Sequence, residues 1–419
     1  MVSVEEARTL ILGDAAVLPA ERVLLSESSG RVLAEDALSD VDVAPFDNTA
    51  MDGYALRAED TSGATADAPV VLRVLEHIAA GMVPTQTITS GYASRIMTGA
   101  PIPEGADAVV MVERTAGLEA AGSAGGTVAV KQAVGRGENI RLRGEDIRAG
   151  AVVLSAGEVV GPAAVGLLAA TGNPTVSVYR RPRVALLSTG DELVDATETP
   201  GPGQIRNSNR YAVAAQIVAA GGVPIEYGIV RDDRDAIRTA IQTAAASTDI
   251  VLSTGGASVG DFDFSADVLG DLGVVKYWKV DMRPGASQVY GTIGGVPYFG
   301  LSGNPTSAYV TFELFVRPAL LRMQGFTALY RPAVKAVLAE AISKKPGRRL
   351  FLRGRVSRLA DARPDGVAYS ATQVGNQSSA LLTTMHRANC LMILQGEERS
   401  FAAGSVVDCI RLDLDERFV

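Results

Sequence analysis

Cysteine, histidine and tryptophan are scarce: the 419 residues include two Cys, two His and one Trp. The cysteines, Cys390 and Cys409, both lie in apolar, strand-like runs, which supports neither a disulfide framework nor a cysteine-based metal site. With only His77 and His386, histidine-centred catalysis has little material. No apolar run is long enough to span a bilayer. The opening Met1-Val2-Ser3-Val4-Glu5-Glu6 lacks the basic-then-apolar profile of a secretory leader, so a cytoplasmic chain with no membrane contact is expected. Basic residues are also in the minority, 39 Lys and Arg against 47 Asp and Glu for a net charge of −8. That balance argues against a nucleic-acid partner, whose phosphates attract basic surfaces.

What is present is apolar material in short runs. A hydrophobic share of 47% implies a folded chain, and its length exceeds one core, so three or four domains are expected. From 183 to 321, segments rich in Val, Ile and Leu and bounded by turn residues read as buried strands: 184–187, 225–230, 250–252, 274–280 and 296–301. Helical spacing follows from Asn209 to Gly221, from Asp235 to Ala246, and from Asn304-Pro305, where Asn is expected to cap and Pro to occupy the first turn. Alternating strands and helices predict a largely parallel sheet covered on both faces. Earlier in the chain, residues 4–12 and Pro162 to Ala170 read as helices, 69–155 as strand-rich, and the part after Arg331-Pro332 as short strands with glycine turns.

Ligands of open parallel sheets bind beyond the carboxyl ends of the strands. Those exits carry Ser188-Thr189-Gly190-Asp191-Glu192, Arg231-Asp232-Asp233, Ser253-Thr254-Gly255-Gly256-Ala257-Ser258-Val259-Gly260-Asp261-Phe262-Asp263, Asp281-Met282-Arg283-Pro284-Gly285 and Ser302-Gly303-Asn304-Pro305. Glycines admit close backbone approach, hydroxyls donate to anions, and carboxylates suit a hard cation. Each turn alone reads equally as an ordinary strand exit. Together they describe a phosphate-and-metal site. Two further polar stretches stand outside this region. Pro45 to Ala55 reads as a surface loop or a binding segment, and Arg136 to Arg148 as a solvated hairpin of paired charges or an arginine grip for an acidic ligand.

The ordered set Asp47-Asn48-Thr49-Ala50-Met51-Asp52-Gly53-Tyr54, Arg95-Ile96-Met97-Thr98-Gly99-Ala100-Pro101, Arg143-Gly144-Glu145-Asp146, Ser188-Thr189-Gly190-Asp191-Glu192, Asn207-Ser208-Asn209, Thr254 to Gly260 and Gly300 to Pro305 resembles the molybdopterin molybdenumtransferases, the family that includes the E domain of gephyrin. The resemblance implies an α/β multidomain chain. A helical stalk would comprise 1–45 and 151–180, an inserted β-rich domain 46–150, a three-layer α/β/α pterin-binding domain 181–330, and a C-terminal β-barrel domain 331–419.

The resemblance also implies an elongated homodimer that inserts molybdate into adenylylated molybdopterin with Mg²⁺-dependent release of AMP. Its transient partners would be a molybdopterin adenylyltransferase and molybdoenzymes or their chaperones. By the same resemblance, Asp263, Glu192 and Asp232 are metal ligands, and Asp52, Thr98, Asp146, Lys279 and Arg283 are catalytic. Gly255, Gly256, Ser258, Gly260, Asp232, Asn304, Ser307, Arg353 and Ser379 would bind substrate.

The chain departs from the family's Lys-Pro-Gly-Lys-Pro, carrying Arg283-Pro284-Gly285-Ala286-Ser287, and Ser302 replaces a usual proline. The lysine absent at Ala286 would remove a charged hydrogen bond of about 1.5–3 kcal/mol, about ten- to hundred-fold in affinity. A paralogue that binds and carries the pterin nucleotide without efficient insertion is the alternative reading.

Overall fold

The computed structural model describes residues 1–117, 123–255, 264–361 and 363–418. Its centre is a six-stranded sheet in the order Val223–Val230, Arg183–Thr189, Ile250–Thr254, Val296–Leu301, Ser287–Ile293 and Val274–Lys279. The first four strands are mutually parallel, and Ser287–Ile293 runs antiparallel to both its neighbours. Successive strand residues point to opposite faces. Val184 and Leu186 pack with Val213 and Ile217 on one side, while Ala185 and Leu187 meet Ile237 and Ile241 on the other. The three-layer arrangement follows from that alternation.

Helix starts are fixed by short polar side chains that accept otherwise unpaired amides. Asn207 caps Ser208–Ala219 through the Arg210 N–H, and Asp233 caps Arg234–Ala245 through the Ala236 N–H. Asn304 behaves differently from the expectation. It occupies the cap position of Pro305–Thr311, but its side chain makes no capping hydrogen bond. The free Thr306 N–H is instead taken by the Ser379 carbonyl at 3.0 Å.

Before the central domain, a six-stranded sheet built from 53–130 forms the inserted domain, with Tyr54, Leu72, Val74, Val110 and Val128 in its core. The stalk core joins Leu33, Val160, Leu168 and Val178. It rests on one helix, Pro162–Ala170, and on antiparallel pairs such as Ala20–Leu24 with Thr175–Tyr179. The helix Val4–Asp14, expected in the stalk, buries Val4, Ala7 and Ile11 against the central core. An amphipathic pattern shows which face is buried, not against what. At the other end, Arg349–Arg358, Tyr369–Gln373, Ala333–Leu338, Val406–Arg411 and Cys390–Leu394 close into a five-stranded barrel through the pairing of its first and last members. Cys390 and Cys409 are free and buried within it. No helix among the described residues is long and apolar enough to cross a membrane.

The stalk returns to the central sheet through Arg180, whose guanidinium grips both carboxylate oxygens of Asp249 at 2.6 and 2.5 Å, while the Arg183 N–H donates to the same group at 2.7 Å. Burial alone would raise the Asp249 pKa, but the Arg180 fork and the Arg183 N–H outweigh it and hold the value below the ordinary carboxylate range. A depressed folded-state pKa gives stability that is complete above the unfolded value and is lost as pH falls through the folded one. Asp249→Asn is therefore expected to cost about 1–3 kcal/mol near neutral pH, read as a lower thermal midpoint. The difference from wild type should shrink under strongly acidic conditions, and an unchanged midpoint at pH 7 would remove Asp249 from this role.

Candidate active site

Two clefts adjoin along the rim of the central sheet. The smaller, about 390 Å³, is lined by Thr189, Gly190, Glu192, Asn207, Asp232 and Gly255 among others. Here strand exits are drawn together. Asp191 N–H donates to the Asp232 carboxylate at 3.4 Å, and Asp232 N–H donates back to Asp191 at 3.3 Å. Gly255, at φ +100°, leaves no room for a side chain, since a Cβ there would stand 2.2 Å from the Thr189 carbonyl oxygen. Among the described residues the buried Thr189 hydroxyl and Asn207 amide nitrogen have no hydrogen-bond partner. Buried polar groups are ordinarily paired, so this wall carries unused hydrogen-bonding capacity.

The larger cleft, about 950 Å³, lies between the central domain and the barrel. Its floor exists because Met282–Arg283 leaves the sheet and pairs in parallel with Arg349 and Leu350 of the barrel. Gly285, at φ +87°, lets this segment press on the following helix, where a Cβ would meet the Thr311 methyl at 2.3 Å. Among the described residues the lining includes Arg283, Lys344, Lys345, Arg348 and Arg353 but no carboxylate. In a chain of net charge −8, that is a local reversal of sign. Ser302 and Asn304 line both clefts and form the ridge between them.

The expected site residues divide accordingly. Glu192, Asp232 and Gly255 line the acidic cleft, Arg283, Ser307, Arg353 and Ser379 the basic one, and Asn304 both. Gly256, Ser258, Gly260 and Asp263 lie outside the described residues. Lys279 lines neither cleft, and its ammonium sits over the Trp278 ring, 5.3 Å from the centroid. Asp52 and Thr98 come together in the inserted domain, where the Thr98 N–H and hydroxyl each donate to Asp52 at 2.7 Å. Those bonds hold the Asp52 pKa below its ordinary value. Neither they nor the exposed Asp146 line either of these two clefts. In the arginine-rich stretch, Arg143 pairs with Asp42 and Arg136 with Asp107, the paired-charge arrangement.

Arg353 is fully buried and its donors are already engaged. They reach the Thr384 hydroxyl and the carbonyls of Asn376, Gln377 and Ser378 at 2.9–3.2 Å. Burial lowers its pKa. Its visible work is to shape the loop that presents Ser379. Sequence reasoning passed over Lys344, Lys345 and Arg348, as well as Thr189 and Asn207 as individual ligands. The first three were signalled by the only local cluster of basic residues around a Pro-Gly turn, Lys344-Lys345-Pro346-Gly347-Arg348.

For a metal, among the described residues no group of three or more His, Cys, Asp or Glu is arranged to hold one. Glu192 and Asp232 nevertheless offer two exposed carboxylates on one wall. That donor set fits Mg²⁺, which keeps several waters and is bound through one or two carboxylates plus substrate phosphates.

Comparison with known proteins agrees with this architecture. Family models match residues 2–172 as the MoeA N-terminal region (domain I and II), 185–322 as a probable molybdopterin binding domain, and 335–412 as the MoeA C-terminal region (domain IV). A molybdopterin molybdenumtransferase of Staphylococcus aureus is 37% identical over 99% of this chain and 96% of its own. One of Bacillus subtilis is 39% identical over 93% and 89%. The crystal structure of a molybdopterin biosynthesis MoeA protein from Pyrococcus horikosii superposes with a TM-score of 0.82 at 32% identity, covering 99% of this chain and 100% of that one. With the matched regions in this order along the chain, the chain belongs to the molybdopterin molybdenumtransferase family, transferases of molybdenum cofactor biosynthesis.

Proposed function

We propose that this protein takes adenylylated molybdopterin and molybdate as substrates and inserts the metal with Mg²⁺-dependent release of AMP. The observation that carries this reading is the charge division across one ridge, with Glu192 and Asp232 on one side and, on the other, a cleft whose charged lining among the described residues is all cationic. A pyrophosphate needs a hard cation beside it, whereas an oxyanion such as molybdate needs protein cations and donors. Glu192 and Asp232 would hold the magnesium ion, which when bound neutralises charge on the pyrophosphate. Thr189 and Asn207 supply donors and acceptors to the nucleotide-bearing substrate. Arg283 and the hydroxyls of Ser307 and Ser379 face the oxyanion.

The reading includes a homodimer, in which the Asp52–Thr98 pair and Asp146, outside the linings of both clefts, would complete a partner's. A cytoplasmic setting belongs to it as well, in keeping with the two free thiols. A pterin-nucleotide carrier without efficient insertion is the second reading, favoured by Ala286 in place of lysine.

Purified protein given Mg²⁺, molybdate and adenylylated molybdopterin is expected to release AMP and to activate a cofactor-free molybdoenzyme. Tight pterin binding with no AMP would select the carrier. Glu192→Gln and Asp232→Asn should each raise the Mg²⁺ concentration needed for half-maximal AMP release by about tenfold or more, the loss of one charged contact; an unaltered Mg²⁺ dependence would end the metal assignment. At an Mg²⁺ concentration too low for Glu192→Gln to turn over, mixing Asp52→Ala and Glu192→Gln subunits should restore part of the activity, because a heterodimer contains one intact composite cleft. No recovery after verified subunit exchange would place Asp52 elsewhere.

A further inference from the structure

The basic cleft holds five cations, and their surroundings differ. Arg353 is fastened to the carbonyls of 376–378, and the Lys344 ammonium donates to the Gly396 carbonyl. Arg283, Lys345 and Arg348 are exposed, and among the described residues none has a carboxylate within ion-pair distance, although the adjacent Arg349 is paired with Glu5. Unpaired cations lining one cleft repel each other, and among the described residues no carboxylate lines the cleft to offset that repulsion.

The loop carrying Lys345 and Arg348 connects the short strand Ile342–Ser343 to the barrel strand Arg349–Arg358. It is anchored at both ends. Lys344 N–H donates to the Arg399 carbonyl at 2.9 Å, and Gly347 N–H to the Gly396 carbonyl at 2.9 Å. Gly396 approaches so closely that a Cβ there would stand 2.1 Å from the Gly347 oxygen. The two side chains therefore project from a held backbone, which limits the ordering cost of gripping a ligand. Arg283 and Ala286 line the same cleft, Arg283 on the two-residue strand paired with Arg349 and Leu350.

We infer that Lys345 and Arg348 bind molybdate directly, from the barrel side of the cleft, and supply the positive charge that the Arg283-Pro284-Gly285-Ala286 segment lacks. This assignment rests on the proposed function for the identity of the oxyanion. A compact dianion is satisfied by cations from either wall. The charge missing at Ala286 is thus replaced across the cleft, and the weakening expected from the sequence alone does not follow.

Equilibrium dialysis of full-length protein with molybdate as the probe tests this without turnover. The Lys345→Ala/Arg348→Ala variant is expected to bind molybdate at least about tenfold more weakly, whereas Lys335→Ala, which removes a barrel lysine paired with Asp408, should bind as wild type does. Adding Ala286→Lys to the double variant should recover much of the affinity. If the double variant loses its wild-type thermal midpoint, the single Lys345→Gln and Arg348→Gln variants take its place, each with a partial loss. In the coupled assay, KM for molybdate should rise while KM for adenylylated molybdopterin holds. Equal molybdate affinity in wild type and variant, or a rise confined to the pterin KM, overturns the assignment. Absent AMP release by wild type alongside intact, Lys345-dependent molybdate binding would instead overturn the proposed reaction and leave the oxyanion site standing.

Discussion

A two-residue ladder, Met282–Arg283 against Arg349 and Leu350, determines where the chemistry can happen. Without it the central sheet and the barrel would be neighbours with no shared floor. The ladder needs the chain to leave the sheet after Val274–Lys279, turn through Gly285 where no side chain fits, and re-enter as Ser287–Ile293. Buried Gln288 secures that turn by donating to the Gly285 carbonyl at 2.9 Å. The cationic cleft is a by-product of this detour, because it brings one basic segment of each domain side by side.

Charge separation follows from the same geometry. Parallel strands release their carboxyl ends on one rim, so acidic exits from Arg183–Thr189 and Val223–Val230 gather at one end of it. The barrel contributes its basic turn at the other. Opposite potentials a short distance apart orient a ligand that has one metal-seeking end and one oxyanion-accepting end. Neither cleft alone makes that distinction.

Much of this was legible in the chain. The continuous apolar run Val184 to Leu187 and the helical spacing from Asp235 are local signals, and the structure has a strand buried on both faces at the first and a helix, Arg234–Ala245, at the second. The strand Ser287–Ile293 was not legible, because Gln288 and Gly291 interrupt its apolar pattern and its pairing is supplied by strands on either side. Phe264–Leu272 is a short helix with Gly270 inside it, which weakens the periodic signal. Of the expected site residues, Glu192, Asp232 and Asn304 sit on strand exits and line the rim clefts. Lys345 and Arg348 lie about sixty residues beyond Arg283 in sequence, and the pairing of Met282–Arg283 with the start of Arg349–Arg358 brings them to the same cleft, an approach no local pattern announces. Arg353 lines that cleft too, with its donors held by carbonyls.

That occupation has a mechanical meaning. A guanidinium sealed from solvent and tied to three consecutive carbonyls works as a casting mould for the loop 376–378, and Ser379, whose own carbonyl receives the Thr306 amide, leaves the mould already aimed. The hydroxyl's position is therefore settled when the protein folds, before any oxyanion arrives. A lysine in the same place, with one compact head group instead of a planar fork, would leave that casting incomplete even though the charge would be conserved.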